Sequence, residues 1–325
     1  MFNRKRKIVV IGGGTGLFTL LSGLKEYDYD LTAIVSIADD GGSSGILRDE
    51  LGFLPVGDIR NCLIALSESK ELMYKFFNYR FEKGSLSGHS VGNMLIAALT
   101  HINNGDFLKT VDQFSSILAI KGRVLPATLE KITLFAKLED GSMVKGQAEI
   151  DGYKKYSHII DINKLKNRAR ISSVFVKPEV TALSEAIKAI SEANLIILGP
   201  GSLYTSIIPN LLIKGIPEAI KLNRAKKIYV CNIMTQIGET DNFSAVDHLR
   251  VLENYLGKDV LTHIILNNGT APEKLLEKYR NEHQELVSPD IDSTRKLKVI
   301  KENFIKGNQL VRHDSEKLAK VIIRI

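Results

Sequence analysis

Short apolar runs that end in glycine or polar residues recur along this 325-residue chain, and longer amphipathic segments separate them. This alternation is typical of buried parallel strands joined by helices. It therefore predicts an α/β fold with a Rossmann-like, mostly parallel sheet that carries helices on both faces. The predicted strands are KIVVI at 7–11, LTAIVSIA at 31–38, LIIL at 195–198, KIYVCNIM at 227–234 and LTHIIL at 261–266.

The middle of the chain follows a different pattern, because apolar residues there recur at every second position. KITLFAKL and SMVKGQAEI show this period, and Asp140-Gly141 between them is a hairpin signal. We predict a β-rich insertion at 123–177. It would separate the N-terminal half of a nucleotide-binding α/β core, 1–122, from the C-terminal half with its covering helices, 178–325, in one compact unit. The terminal VIIRI is interpreted as a closing strand.

Composition narrows the class of protein. With 44% hydrophobic and 25% charged residues, the chain resembles soluble globular proteins, and no apolar run approaches membrane-spanning length. We expect no membrane insertion. Only IVVI separates the basic residues 4–7 from the first glycines, which is too short for a signal peptide. Cys62 and Cys231 lie far apart and favour a reducing compartment, so a cytoplasmic location is expected.

Charge gives little support for nucleic-acid binding. The formal net charge is +7, from 44 basic and 37 acidic residues, and residues 4–7 supply four of the positive charges. This run has no interleaved aromatic residues and no second basic cluster, so we interpret it as a solvated tail and expect no nucleic-acid partner. A homo-oligomer stays open.

Glycine and polar residues follow nearly every predicted strand. The carboxyl ends of parallel strands meet at one edge of a sheet, where ligands bind, and glycines let backbone amides approach an anion. GGGTG lacks the third glycine of the dinucleotide fingerprint, because Leu17 stands there, and the alternative is a tight strand-to-helix turn without a ligand. The predicted ligand site comprises Gly12, Gly13, Gly14, Thr15, Gly16, Asp39, Asp40, Gly41, Gly42, Ser43, Ser44, Arg60, Asn61, His89, Ser90, Asn93, Gly199, Pro200, Gly201, Ser202, Tyr204, Thr235, Gln236, Glu239 and Thr240.

Two adjacent acids, Asp39 and Asp40, open directly onto a Gly/Ser loop. They could accept hydrogen bonds from sugar hydroxyls, or hold a Mg²⁺ that bridges to phosphate oxygens. The alternative is that one of them caps a helix. Asp58 is interpreted as the N-cap of the next helix, which leaves Arg60 and Asn61 to face the site. The alternative for Arg60 is that it pairs with an acid.

Gly88-His89-Ser90-Val91-Gly92 fits the nucleophile-elbow pattern, but the strand that must precede such an elbow is missing. A serine hydrolase is therefore disfavoured. His89, Ser90 and Asn93 are instead predicted at a helix N-terminus that faces the ligand, with a merely solvated His89 as the alternative. The candidates for a catalytic role are Asp39, Asp40 and His89. The sequence has no HxxxH or CxxC, so zinc has little support.

These segments carry a family resemblance. VVIGGGTG, ADDGGSSG, GDIRNCL, GHSVGN, GRVLPAT, LGPGSLYTSIIPNLL, YVCNIMTQIGET and RHD occur in this order from residue 9 to about 314. Together they closely resemble the gluconeogenesis factor family (YvcK-type), which is more distantly similar to 2-phospho-L-lactate transferase (CofD-type). Phe18, Val56 and Ile237 stand where the family pattern has Ser, Pro and Pro.

The resemblance implies a Rossmann-like cytoplasmic protein that is needed for cell shape during growth on gluconeogenic carbon sources and that binds UDP-sugars such as UDP-N-acetylglucosamine. The transferase relatives move a phospholactyl group from a guanosine diphosphate donor to a deazaflavin alcohol, with Mg²⁺. Carried over by motif, residues 12–16 and 199–204 would hold the nucleotide, and Asp39 and Asp40 would lie near the acceptor or metal.

Three hypotheses follow. The first is a UDP-sugar-binding regulatory protein, and the second is a Mg²⁺-dependent phospho-group transferase with a nucleoside diphosphate donor. An NAD-linked dehydrogenase ranks last, because no acid or base can be assigned to a hydride-transfer substrate.

Overall fold

A seven-stranded sheet forms the centre of the molecule, and a three-stranded sheet and a two-stranded ribbon accompany it. The computed structural model describes residues 5–68, 71–153, 160–307 and 309–325. The strands are β1 (Lys7–Gly12), β2 (Asp30–Val35), β3 (Arg123–Pro126), β4 (Thr133–Leu138), β5 (Met143–Lys145), β6 (Ile171–Lys177), β7 (Leu195–Leu198), β8 (Lys226–Val230), β9 (His263–Asn267), β10 (Lys298–Glu302), β11 (Ile305–Lys306) and β12 (Arg312–His313).

Helices fill most of the connections between these strands, and a π-helical turn at Leu203–Ile207 runs directly into one of them. The helices are α1 (Gly14–Leu24), α2 (Gly42–Leu51), α3 (Gly57–Leu66), α4 (Glu71–Asn78), α5 (Val91–Ile102), α6 (Phe107–Ile117), α7 (Gln147–Ile150), α8 (Ile162–Lys166), α9 (Ser184–Glu192), α10 (Ile208–Leu211), α11 (Ile216–Leu222), α12 (Ala245–Leu256), α13 (Glu273–Asn281) and α14 (Ser315–Ile323).

The central sheet is parallel throughout, with the strand order β10-β9-β8-β7-β1-β2-β3. The order reverses between β1 and β7, because the chain builds outward from β1 through β2 and β3 and then returns to the other side of β1. In a doubly wound sheet such a switch point leaves a crevice beyond the carboxyl ends of the two strands. Right-handed crossovers then bring the helices of the two halves to opposite faces. The predicted α/β, Rossmann-like class is confirmed.

Strand β1 is buried on both faces, since Ile8, Val9, Val10 and Ile11 are at most 2% exposed. A strand in this position reads as a continuous apolar run rather than as an alternating one, which is why KIVVI could be assigned from sequence. It pairs with β2 in the register Val10↔Ala33 and with β7 in the register Ile11↔Leu198. Both neighbours therefore end level with the glycines that follow β1.

The predicted insertion at 123–177 begins with β3, which pairs in parallel with β2 and belongs to the central sheet; the rest forms an antiparallel sheet in the order β5-β4-β6. Its first hairpin turns at Asp140-Gly141, as the sequence predicts, and Asp140 Oδ1 accepts hydrogen bonds from both the amide and the hydroxyl of Ser142. Beyond β5 the chain returns as the short helix α7.

The C-terminal segment differs from the prediction. VIIRI lies in the helix α14 and its C-cap rather than in a strand, so the predicted closing strand is wrong. Asp314 caps α14 by accepting hydrogen bonds from the amides of Glu316 and Lys317, and the buried residues Leu318 and Ile322 are four positions apart, as one helix face requires.

Helices α1 and α14 pack closely against each other. A Cβ at Gly23 of α1 would overlap the carbonyl oxygen of Ser315, so only glycine allows this approach. The helix that begins at the first glycine loop is therefore held directly against the last helix of the chain. Among the residues that the structure describes, no helix combines the length and the apolar character that crossing a bilayer requires.

Candidate functional site

The two glycine loops that follow β1 and β7 touch each other at the switch point. A Cβ built at Gly16 would lie 2.5 Å from the carbonyl oxygen of Pro200 and 2.9 Å from the amide nitrogen of Gly201. Any side chain at position 16 would push the loops apart, so a glycine is needed here for packing. The structure thus brings together two segments that are nearly 190 positions apart in the chain.

A cavity of about 300 Å³ opens beside these loops, and we call it the first cavity. Its floor is formed by the glycine loops, one side wall by the segment after β8, and the outer wall by α13 and β12. The lining residues are Gly13, Gly14, Thr15, Gly16, Thr19, Pro200, Gly201, Ser202, Ser206, Asn232, Ile233, Met234, Thr235, Gln236, Tyr279, Gln284, Val311, Arg312 and His313.

Hydrogen bonds of side-chain amides connect the walls of the first cavity. Asn232 Oδ1 accepts a hydrogen bond from the amide of Gly201 at 3.2 Å, and Gln236 Nε2 donates to Ser202 Oγ at 2.7 Å. The amide of Gln236 in turn donates to Thr240 Oγ1 at 2.9 Å. These bonds fix the second glycine loop against the segment that follows β8.

The outer wall carries one exposed cation. Arg312 lies next to His313, whose burial lowers its pKa to about 4, so the imidazole is neutral at physiological pH. The hydroxyl of Tyr279 accepts a hydrogen bond from the amide of Val311 at 3.1 Å, which connects α13 to the residue that precedes β12. Arg312 is therefore the charged side chain that the outer wall can offer to an anion.

A second cavity of about 210 Å³ lies beyond β2. It is lined by the Gly/Ser loop that begins α2, by the start of α3 and by α7 of the insertion. Its lining residues are Asp39, Gly41, Gly42, Ser43, Ser44, Gly57, Asp58, Arg60, Asn61, Arg80, Asn93, Gln147, Ala148, Asp151 and Tyr153. The two cavities have no lining residue in common.

The adjacent acids Asp39 and Asp40 have different neighbours. Asp39 lines the second cavity, and its Oδ1 accepts a hydrogen bond from the amide of Gly41 at 3.0 Å. Asp40 Oδ1 accepts from the amide of Ala148 at 2.8 Å, and burial raises the pKa of this carboxyl. Asp40 thereby fastens the insertion to the core. In the part of the chain that the structure describes, no group of three or more His, Cys, Asp or Glu is arranged to hold a metal, and the Mg²⁺ assignment stays a prediction.

Asp58 separates the two cavities. It does not cap α3, because the N-cap is Val56 and Asp58 lies in the first turn, so the interpretation as N-cap is wrong. Its carboxyl contacts Gly13 and accepts a hydrogen bond from the amide of Gly14 on one side, and it lines the second cavity on the other. Burial, with the nearby Asp39 carboxylate, raises the pKa of Asp58 to about 7.

A buried acid pair connects the insertion to the C-terminal half. The carboxyl groups of Asp151 and Glu239 lie within hydrogen-bonding reach of each other, and burial raises the pKa of both. One proton shared between them avoids two adjacent buried charges. Arg168 also bridges these parts, since its Nη2 donates to the carbonyl oxygens of Ile150, at 2.7 Å, and Gly238, at 2.6 Å.

The GHSVG segment forms the N-terminus of α5, as the sequence predicts. Ser90 is the N-cap, and its hydroxyl accepts a hydrogen bond from the amide of Asn93. His89 Nδ1 lies 3.1 Å from Ser43 Oγ. The segment therefore supports the wall of the second cavity, and Asn93, the residue that follows it, lines that cavity directly.

The predicted site residues divide into three groups. Those that line the first cavity are Gly13, Gly14, Thr15, Gly16, Pro200, Gly201, Ser202, Thr235 and Gln236. Those that line the second cavity are Asp39, Gly41, Gly42, Ser43, Ser44, Arg60, Asn61 and Asn93. Those that line neither are Gly12, Asp40, His89, Ser90, Gly199, Tyr204, Glu239 and Thr240. Their roles in binding stay predictions.

Sequence reasoning missed several lining residues. Asn232 lies in KIYVCNIM, which the sequence predicts to be one strand. In the structure β8 ends at Val230, so the last four residues of that run lie at the carboxyl edge of the sheet. The polar side chain of Asn232 within an apolar run was the available signal. Tyr279, Arg312 and Asp151 come from segments far along the chain, and of these only Arg312 belongs to a quoted motif, RHD.

A family model and several known proteins match this chain over nearly its whole length. A family model described as 2-phospho-L-lactate transferase CofD matches residues 8–305. The gluconeogenesis factor of Bacillus subtilis is 44% identical over 325 residues, which cover 98% of each chain. The chain belongs to the gluconeogenesis factor family.

Other members of the gluconeogenesis factor family show the same relation. A putative gluconeogenesis factor of Clostridium acetobutylicum is 46% identical over 321 residues, which cover 98% of this chain and 69% of that protein. A crystal structure of a UPF0052 family member from Bacillus halodurans superposes with a TM-score of 0.88 at 41% identity, covering 98% of this chain and 99% of the other. The whole fold, including the insertion, is thus shared with a solved structure.

Proposed function

We propose that this gluconeogenesis factor binds a nucleoside diphosphate sugar, such as UDP-N-acetylglucosamine, in the first cavity, and that binding regulates cell shape during growth on gluconeogenic carbon sources. The observation that carries the proposal is the apposition of the two glycine loops on the floor of one cavity at the switch point. A diphosphate is the group that such amide-rich loops and helix N-termini accommodate best.

The groups around the cavity suit the parts of this ligand. Gly13 at the N-cap of α1 has no side chain, so the diphosphate can approach the first turn of the helix beside the Asp58 carboxyl that accepts a hydrogen bond from the amide of Gly14. Arg312 supplies a cation from the opposite wall. The side-chain amides of Asn232 and Gln236 and the hydroxyl of Thr235 offer donors and acceptors to the base or the sugar.

A second candidate function is phospho-group transfer from a nucleoside diphosphate donor. It is favoured by the transferase family model, which spans nearly the whole chain, and by a second cavity with carboxylates next to the first one. In that case Asp39 and Asp58 would be the carboxyl groups nearest to an acceptor hydroxyl.

Calorimetry with UDP-N-acetylglucosamine tests the first function. Arg312→Met should weaken binding about tenfold or more, because a charge-assisted hydrogen bond to phosphate is lost. Arg295→Met is the matched control, since Arg295 is also exposed but lines neither cavity. Absence of binding heat with the wild-type protein at millimolar ligand, or equal affinity in the two variants, would count against the proposal.

A thermal-shift panel separates the two functions. UDP-N-acetylglucosamine, GDP and NAD are each added with and without Mg²⁺, and a ligand that binds the folded chain should raise the melting temperature more the tighter it binds. Selective stabilisation by UDP-sugars without Mg²⁺ favours regulation by binding, whereas Mg²⁺-dependent stabilisation by GDP favours the transferase. For the cellular role, the Arg312→Met gene should fail to restore normal shape to a deletion strain grown on a gluconeogenic carbon source, and the Arg295→Met gene should restore it.

A further inference from the structure

The geometry points to the second cavity as a separate binding site for a small phosphorylated polyhydroxy compound, such as a sugar phosphate, that is occupied independently of the nucleotide. Its volume of about 210 Å³ corresponds to roughly seven water molecules at ~30 Å³ each. That space suits a small metabolite rather than a nucleotide sugar.

Two arginines line this cavity. Within the described part of the chain, Arg60 donates to neutral oxygens, those of Ser90, Asn93 and Asn61, and Arg80 donates to the carbonyl oxygen of Gly88. Carboxylates act on them without a hydrogen bond, since Asp58 and Asp39 raise the pKa of Arg60, and Asp39 raises that of Arg80. Like charges held together at a partly buried site are costly unless an anion compensates them.

Arg60 provides the strongest local signal. It is only 7% exposed, and its Nε has no hydrogen-bond partner within the described part of the chain. Burial and the neighbouring Arg80 both lower the pKa of Arg60, to about 10, which leaves it charged at physiological pH. A buried donor without a partner requires one, and an anionic ligand in the cavity is a group that can accept from it.

The N-terminus of α2 adds to the positive charge. This ten-residue helix begins at Gly42, and its N-cap Gly41 provides no side-chain cap. Gly42, Ser43 and Ser44 line the cavity, so the first turn at the positive end of this helix lies beside the two arginines, and Asp39 Oδ1 accepts a hydrogen bond from the amide of the N-cap there. A phosphate group there would meet both kinds of donor.

Carboxyl groups line the second cavity together with the arginines. Asp39, Asp58 and Asp151 are the acids, and carboxyl groups accept hydrogen bonds from hydroxyl groups. A ligand with one anionic group and a hydroxylated body satisfies both kinds of side chain, whereas a bare diphosphate would be repelled by the acids. This mixed lining is the reason for assigning a phosphorylated polyhydroxy compound rather than the diphosphate of the nucleotide.

The test uses inorganic phosphate, glucose 6-phosphate and glucose as probes at constant ionic strength, measured by calorimetry on the full chain. Glucose 6-phosphate should bind most tightly, phosphate more weakly and glucose not at all. Arg80→Met should weaken glucose 6-phosphate about tenfold or more and leave UDP-N-acetylglucosamine unchanged. Arg312→Met should leave glucose 6-phosphate unchanged. Arg80→Lys, which keeps the charge, should recover part of the affinity.

Three results would overturn the inference. The first is that the wild-type chain binds neither phosphate nor glucose 6-phosphate at millimolar concentration. The second is that the wild-type chain binds phosphate and glucose 6-phosphate with equal affinity. The third is loss of glucose 6-phosphate binding in Arg312→Met with retention in Arg80→Met, because the anion would then occupy the first cavity. Failure of UDP-N-acetylglucosamine to bind would sink the proposed nucleotide function but not this one, since the probes need no nucleotide.

Discussion

Replacing Asp58 by Asn should make the folded protein more stable than wild type as the pH rises. The carboxyl of Asp58 is buried against the first glycine loop, and its pKa in the folded chain is about 7, against the ordinary 3.8 of an Asp. An asparagine side chain has the same shape and could still accept the hydrogen bond from Gly14, but it cannot ionise. The variant therefore removes a buried negative charge at high pH and changes little at low pH.

Proton linkage gives the sign and the magnitude of this effect of pH on stability. The folded chain holds the proton of Asp58 more tightly than the unfolded chain does, so this stabilising contribution is complete below about pH 4 and is lost as the pH rises through about 7. One pKa unit corresponds to about 1.4 kcal/mol, which gives a total of about 4 kcal/mol. More than half of this loss of stability falls between about pH 5 and about pH 8. The free energy of unfolding of the variant should therefore rise by about 2.5 kcal/mol relative to that of the wild type across that range.

Urea unfolding at several pH values measures this difference. The chain contains no Trp, so far-ultraviolet circular dichroism is the appropriate signal. Burial also raises the pKa of Asp151 and Glu239, and both proteins should therefore lose stability with rising pH; only the difference between them isolates Asp58.

Asp140→Asn is the matched control for this experiment. The pKa of Asp140 is lowered by its hydrogen bonds from Ser142, so the stability that its ionised form contributes is lost only as the pH falls below the usual Asp range. Its difference from wild type should therefore stay flat from about pH 5 to about pH 8. A flat difference for Asp58→Asn as well, or one that decreases with pH, would refute the reasoning about the buried carboxyl.

The remaining predictions concern the contacts that assemble the site. Gly16→Ala should lower the free energy of unfolding by about 1–3 kcal/mol and weaken UDP-N-acetylglucosamine binding, because its Cβ would overlap backbone of the second glycine loop. Gly12→Ala, whose Cβ would have no neighbour closer than 3.8 Å, should be tolerated, and calorimetry and urea unfolding compare the two. Asp40→Ala should speed hydrogen exchange at the amide of Ala148, which loses its acceptor, whereas Asp40→Asn should preserve the protection; equal exchange in both would contradict the proposed anchoring role.

Local sequence was sufficient for the central sheet and for the floor of the first cavity. A fully buried parallel strand has to be apolar along its whole length, and a turn that must bring amides to an anion has to be rich in glycine. An apolar strand followed by a glycine-rich turn occurs within ten residues in both KIVVI-GGGTG and LIIL-GPGS. Their positions beside each other follow from the strand order, which a doubly wound sheet makes predictable.

The missed features depend on contacts between distant segments. Asp151 and Glu239 are 88 positions apart, and nothing near either residue indicates that the insertion folds back to pair them. The five residues VIIRI fit a strand or a helix equally well by apolarity. The deciding signal was Asp314 before Ser315 and Glu316, an N-cap pattern that favours a helix.

The backbone contact of Gly23 with Ser315 limits how the first cavity can open. Helix α1 starts at the glycine floor, and α14 starts immediately after the Arg312 wall, so the contact holds the end of the helix that follows the floor against the start of the helix that follows the wall. The C-terminal segment cannot swing outward while that contact persists. Deletion of α14 would therefore leave the Arg312 wall without the helix that follows it and α1 without this packing partner.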